Sequence, residues 1–317
     1  MAKLPETDAT PLDDAARAGW LYYVGGKTQD QIAQELGVSR QRAQRLVSRA
    51  MAEGLIHVRL EHRVSGCLDL EAQLRARFGL QLARVTLSLG PGVDPVSSLA
   101  PTAAAEMERF LRQSEPLTMA LGTGRTLRAT VESLTRLDAE QHKIVSLIGN
   151  IAPDGSASYY DVIIRISDKV LAPHFPMPIP VVAENAKDRD LFLSLKPVQR
   201  VMGLAERAQV TFVGVGQMSD SAPLLMDGFI TRAELEDMQA RGAAGEIAAR
   251  AFDSDGRYIE GGTNARVCAV EVAGGEGRSV IGIAAGADKT GAIAAALKGN
   301  LLNGLITDET TARALLS

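Results

Sequence analysis

Leu117-Thr118-Met119-Ala120-Leu121-Gly122-Thr123-Gly124-Arg125-Thr126 is a short apolar run that breaks into glycine, threonine and arginine and then into helical periodicity. The pattern predicts a strand over 117–121, a tight turn, and a helix beyond it. Glycines let backbone amides approach an anion closely, threonine hydroxyls add donors, and a helix N-terminus contributes positive potential. Gly122, Thr123, Gly124, Arg125 and Thr126 are therefore candidate phosphate ligands, the alternative being a strand-to-helix turn that holds nothing. The loop matches neither a GxGxxG dinucleotide turn nor a GKS/T P-loop.

The same alternation of short apolar runs and helical stretches continues on both sides. Strands are expected at 84–89, 144–148, 179–183, 209–215, 280–284 and 301–306, with helical periodicity between them, as in Ile293, Ala296 and Leu297. Such alternation predicts a doubly wound, mainly parallel α/β domain over 81–317, its sheet covered on both faces. Ligands of these folds sit beyond the carboxyl ends of the strands. Other strand ends are polar and glycine-rich in the same way, among them Gly149-Asn150, Gly214-Val215-Gly216 followed by Asp220, and Ala285 to Lys289, while Glu246 after Gly245 either accepts ligand hydroxyls or pairs with a nearby Arg. Lys289 opens a helix, where the helix dipole disfavours a cation, so a ligand phosphate or plain solvent must account for it.

The N-terminal part reads differently. Residues 1–14 are rich in Asp, Thr and Pro and are expected to be a loose tail. From Ala15, the residues Ala18, Leu21 and Tyr22 repeat at helical spacing, and Gly25-Gly26 ends that helix. Thr28 with Gln31 three residues on forms a capping box for a second helix. Gly37 permits a sharp turn and Ser39 caps a third helix, in which Ala43, Leu46, Val47 and Ala50 face inward. The outward face carries Arg40, Gln41, Arg42, Gln44, Arg45 and Arg49. This is a helix-turn-helix over 15–62, and its third helix is suited to the major groove, where Arg pairs with guanine and Gln with adenine. Thr28, Gln29 and Ser39 are suited to phosphate oxygens. A short strand at 55–60 is expected beside it, and a helix over 63–80, spaced by Leu70, Leu74 and Phe78, is expected to link the domains or to pair two copies.

Composition agrees with this division. Apolar residues make up 46% of 317 and aromatics 4%, which suits a core of aliphatic side chains between closely packed helices and strands. Net charge is −4, yet residues 37–63 hold six arginines against two glutamates, so the basic surface lies near the N-terminus. Cys67 and Cys268 form no CxxC pair and the four histidines have no metal-ligand spacing, so no metal or other cofactor is expected. The first residues do not read as a signal peptide, and no apolar stretch is long enough to span a bilayer, so a cytoplasmic protein is expected.

Residues Thr28-Gln29, Ile32-Ala33, Leu36-Gly37, Ser39-Arg40, Arg45-Leu46 and Gly54 resemble the DNA-binding end of the SorC family of sugar-responsive regulators. Gly122 to Thr126, Gly214-Val215-Gly216, Gly245-Glu246 with Phe252-Asp253, Ala284 to Lys289, and Leu305-Ile306-Thr307-Asp308-Glu309 are similar to that family's effector domain. In the last motif Thr307 is expected to cap a helix with an acidic first turn. The resemblance spans about Arg17 to Leu316. It implies a fold related to sugar-phosphate isomerases, a double-stranded operator as partner, a sugar or polyol effector, typically phosphorylated, and a homodimer or homotetramer. The chain departs from the pattern at Ala43-Gln44, where Val-Ser is usual, and at Ala285, where a first glycine is usual; operator sequence and ligand are thus not transferable. An unphosphorylated polyol or sugar is the alternative ligand, and an isomerase-like enzyme the alternative function.

Overall fold

The computed structural model describes residues 11–56, 65–90, 92–156 and 162–317. The chain divides into two compact units, Met1–His62 and Arg63–Ser317.

The first unit is built on the helices Pro11–Tyr23, Gln29–Leu36 and Arg40–Ala52. Its core is Ala18, Leu21, Ile32, Ala33, Ala43 and Val47, with Leu36, Val38 and Leu46 packed against it. The first helix begins at Pro11, so residues 11–14 are helical and do not belong to a tail. Tyr22, expected inside, is exposed, and Ala15 takes the buried place one turn earlier. Gly19 lets this helix close on its neighbours: a Cβ there would stand 2.8 Å from the Ala50 Cβ and 2.7 Å from Ile56 Cγ1. The turn is made by Gly37 in the left-handed region at φ 65°, its amide returning to the carbonyls of Ala33 and Gln34. Most of the strand expected at 55–60 falls outside the described residues.

The second unit contains β1 (Leu82–Thr86), β2 (Thr118–Leu121), β3 (Leu137–Asp138), β4 (Lys143–Ser146), β5 (Val170–Leu171), β6 (His174–Phe175), β7 (Val210–Gly214), β8 (Gly216–Gln217), β9 (Gly245–Ile247), β10 (Arg250–Phe252), β11 (Ser279–Ile283) and β12 (Gly304–Asp308). Seven strands form one sheet in the order β1-β12-β11-β7-β2-β4-β6, and every pairing in it is parallel. Period-two alternation sends Met119, Leu121, Ile144, Phe212 and Ile306 into one core. Ala120, Val145, Val213 and Leu305 enter the other. Helices Val96–Leu111 and Arg125–Glu132 cover the first face. Helices Lys196–Glu206, Thr290–Lys298 and Glu309–Leu316 cover the second. Both faces being buried explains why the strands read as nearly continuous apolar runs.

Three expectations change on contact with the structure. Residues 179–183 form only isolated bridges, Ile151 with Pro180 and Val182 with Val267, and the sheet edge is β6 instead. The helix Ser65–Phe78 is no free linker, for Cys67, Leu70 and Leu74 are buried in the core of the second unit. The last helix, Glu309–Leu316, is capped by Asp308, whose side chain accepts from the Thr311 amide at 2.8 Å, while Thr307 Oγ1 is buried without a partner.

In this order β2, β4 and β6 run outward on one side, and β7, β11 and β12 return on the other. The direction of winding reverses between β2 and β7, where the loops leaving the two strands diverge and open a crevice at their carboxyl ends. A three-stranded antiparallel sheet, β10-β9-β8, stands beyond the end of β7 and closes that crevice on one side.

Candidate effector site and DNA-binding surface

At the reversal lies a cavity of about 190 Å³. Its floor is the loop after β2: Thr123, Gly124, Arg125 and Thr126 line it. Gly124 precedes the helix Arg125–Glu132 at φ 119°, a conformation that favours glycine, and no side chain caps the helix start. Gly122 does not line the cavity; its amide continues the sheet by donating to the Phe212 carbonyl at 2.9 Å.

Two further strand ends supply charge. After β11 the chain turns at Gly286, whose φ of 121° is close to the 119° of Gly124. It then makes one 3-10 turn, Ala287–Lys289, which delivers Lys289 to the cavity. Glu246 arrives from β9, whose register sets it opposite Gly216 of β8. The β9–β10 connection is a two-residue turn through Ala248 and Ala249, both with positive φ, 51° and 63°. Turns of this hand match the twist of a hairpin but suit glycine or asparagine, so two alanines there carry strain of about 1–2 kcal/mol each. The turn brings the Ala249 amide to Glu246, which accepts from it through Oε2 at 2.8 Å.

Burial dominates the electrostatics. It pushes the Glu246 carboxyl above the ordinary carboxylate range, against the Ala249 amide and the positive charge of Lys289, which act the other way. Burial likewise lowers Lys289, partly offset by Glu246, while Arg125 lowers it further and Asp94 raises it. Each of the two charges thus costs free energy in this place and is sustained in part by the other.

A third wall comes from residues 217–229, where Gln217, Ser221, Pro223, Leu224, Asp227 and Phe229 line the cavity. Arg125 reaches across from the β2 loop and pairs with Asp227 at 3.0 Å. Gln217 Nε2 donates to the Ser221 carbonyl at 3.3 Å, and its Oε1 is buried with no partner.

The residues singled out from sequence are therefore only partly gathered. Thr123, Gly124, Arg125, Thr126, Gly216, Glu246 and Lys289 line one cavity. Asn150 lies outside it, its amide bonded to the Ile179 carbonyl at 3.0 Å. Asp220 also lies outside; its side chain is 85% exposed and pairs with Arg232 at 3.0 Å. Sequence reasoning missed Gln217, Asp227 and the apolar wall around Leu224 and Phe229. Among the described residues no group of three or more His, Cys, Asp or Glu is arranged to hold a metal ion.

In the first unit Thr28 and Ser39 serve as helix caps. Thr28 Oγ1 accepts from the Gln31 amide while the Gln31 side chain accepts from the Thr28 amide, and Ser39 Oγ accepts from the Arg42 amide at 3.3 Å. Arg40, Gln41, Arg42, Gln44, Arg45 and Arg49 are all exposed on the helix that follows, and Gln29 is half-buried. Their acidic neighbours leave them available: Arg40 and Asp30, 3.4 Å apart, are each about 70% exposed, and such surface pairs are weak.

Comparison with known proteins agrees with both halves. A family model described as "Putative sugar-binding domain" matches residues 62–317, and one described as "MarR family" matches residues 18–63. The chain is 34% identical over 302 residues to the erythritol catabolism regulatory protein EryD of Brucella abortus, covering 95% of this chain and 96% of that one. The chain belongs to the SorC family of sugar-responsive transcriptional regulators. It is also 32% identical over 309 residues to the transcriptional regulator LsrR of Klebsiella pneumoniae, with 95% and 92% covered. The full-length sorbitol operon regulator SorC of the same species superposes with a TM-score of 0.72 at 26% identity, covering 96% of this chain and 98% of that one. These relatives are regulators, and this SorC-family chain is a regulator rather than an enzyme. No helix among the described residues is long and apolar enough to cross a membrane.

Proposed function

We propose that this SorC-family regulator governs a carbohydrate or polyol catabolic operon, binding its operator through Thr28, Gln29, Ser39, Arg40, Gln41, Arg42, Gln44, Arg45 and Arg49. A phosphorylated sugar or polyol, bound in the cavity at the β2–β7 reversal, changes its affinity for that operator. The observation that carries the ligand reading is the meeting of an uncapped helix start at Gly124 with Lys289 in one small cavity. A helix N-terminus and a half-buried ammonium bring positive potential and hydrogen-bond donors to one space, and a phosphate complements both. Thr123 and Thr126 stand beside them, and Glu246 takes hydroxyls.

Size narrows the ligand. About 190 Å³ is less than the several hundred typical of drug-sized sites, which favours a short chain. EryD is named for erythritol catabolism, and a four-carbon polyol phosphate is of the right class. The protein works as a homodimer or homotetramer, since two-fold pairing lets two recognition helices meet paired half-sites.

The test is operator release. Fluorescence anisotropy on a DNA fragment selected by the protein itself, titrated with polyols, sugars and their monophosphates, should show a change in affinity with one phosphorylated class. Indifference to every member would overturn the effector reading.

A further inference from the structure

Gln217 is the second residue of β8, directly after Gly216, and lines the same cavity. Its Nε2 donates to the Ser221 carbonyl. A carbonyl oxygen accepts and never donates, so this contact fixes which end of the amide is nitrogen and which is oxygen. Oε1 is then an acceptor, buried and unpartnered. Native interiors seldom keep such an atom unless something outside the chain satisfies it. Among the described residues the other orphaned buried side-chain atoms, on Arg250, Thr263, Arg278 and Thr307, belong to residues that do not line this cavity.

Glu246 offers a second acceptor nearby. Its Oε2 already takes the Ala249 amide. Its Oε1 faces Gly216, where only the lack of a Cβ leaves it room. The cavity thus holds two kinds of wall. The helix start after Gly124 and Lys289 donate; Gln217 and Glu246 accept.

We infer that Gln217 is a specificity-determining residue that accepts a hydrogen bond from a ligand hydroxyl, so that the site selects a polyhydroxylated chain over a deoxygenated one of the same length. The inference rests on the cavity being the effector site. A phosphate or carboxylate brings only acceptors and would be repelled by Oε1. A hydroxyl brings the donor this atom lacks. A site built to pair with a hydroxyl rejects the analogue without it far more strongly than an apolar site rejects an isostere, because the buried acceptor is left unpaired.

The experiment is calorimetry on the full-length protein with four- to six-carbon polyols and their monophosphates. Each is paired with the terminal diol, or diol monophosphate, of equal length. The wild type should bind its preferred polyol compound at least roughly 10-fold more tightly than the diol counterpart. Gln217→Met keeps length and loses the acceptor; it should weaken the polyol compound, leave the diol compound unchanged, and shrink the preference to within about threefold. Gln217→Glu, which keeps an acceptor, should retain the preference. A preference that persists in Gln217→Met, an equal loss for both members of a pair, or no binding of any polyol compound to the wild type would each overturn the inference. Should free polyols bind as well as their monophosphates while Gln217→Met still abolishes the preference, the phosphate reading fails and the role of Gln217 stands.

Discussion

Gly216 and Glu246 face each other across the β8–β9 pair with no space for a side chain at the glycine. A Cβ at 216 would overlap Glu246 Oε1 and stand 2.9 Å from its Cδ. Glycine there serves the placement of a carboxylate rather than a turn. The obstacle to Gly216→Ala is the far end of a flexible side chain, so the variant should fold and displace Glu246. Effector affinity should fall roughly 10- to 100-fold, the loss of one charge-assisted contact, with operator binding in the absence of effector unchanged. Equal effector affinity by calorimetry would show that Glu246 does not touch the ligand.

Glu246 makes a claim about pH as well. Burial holds its folded-state carboxyl above the ordinary 4.5, so what it contributes to stability is complete below that value and is lost as pH rises through the folded value. Lys289 is depressed below 10.5, and its contribution runs oppositely, present above 10.5 and lost as pH falls through the folded value. Glu246→Gln removes the buried carboxylate while keeping an acceptor for Ala249. The variant should melt with the wild type near about pH 4 and later than it near about pH 8. A variant less stable at both pH values would contradict the assignment.

Arg45 sits on the exposed face of the Arg40–Ala52 helix, where its Nε donates to the Gln41 carbonyl at 3.4 Å. Arg45→Ala should weaken binding to the selected operator by about 1–3 kcal/mol while sparing random DNA, if it reads a base edge. An equal loss on both would move Arg45 to the phosphate backbone. Unchanged operator affinity in a folded variant would remove it from the interface.

Two-fold pairing follows from the operator reading. Half-sites on one face of the duplex lie about 34–36 Å apart, or multiples of that, so the working species should have at least twice the chain's mass of 33.6 kDa by light scattering. A monomer that binds its operator at full affinity would exclude this arrangement.

Much of this molecule was legible in sequence, for reasons that also mark where legibility stops. Burial on both faces writes strands such as β7 as apolar runs, and six of the seven expected strands overlap strands of the main sheet. The exception, 179–183, is apolar because it is buried beside Gly149, not because it pairs along its length: a Cβ at Gly149 would stand 2.5 Å from the Ile179 carbonyl oxygen. Of the site, the loop after β2 and Lys289 could be found because glycine and charge at strand ends are local signals. Asn150 and Asp220 carry the same signal and lie elsewhere, since a polar strand end does not record which way its side chain turns. Asp227 left no local mark, as its role depends on Arg125, one hundred and two residues away, and nothing in the sequence around Gln217 records that its Oε1 is buried without a partner. The turn at Ala248-Ala249 was hidden for a different reason: its backbone is of a kind that glycine or asparagine would have announced.

The central claim is that Lys289 and the Gly124 turn hold the phosphate of the effector, and Lys289→Ala with paired ligands tests it most directly. Calorimetry should be run on the wild type and the variant with the preferred polyol or sugar and with its monophosphate. The wild type should prefer the phosphorylated form. Lys289→Ala should weaken that form roughly 10- to 100-fold, the size of one charge-assisted contact, and barely change the free form. Tight wild-type binding of the free compound with no gain on phosphorylation, or an equal loss for both forms in the variant, would contradict it.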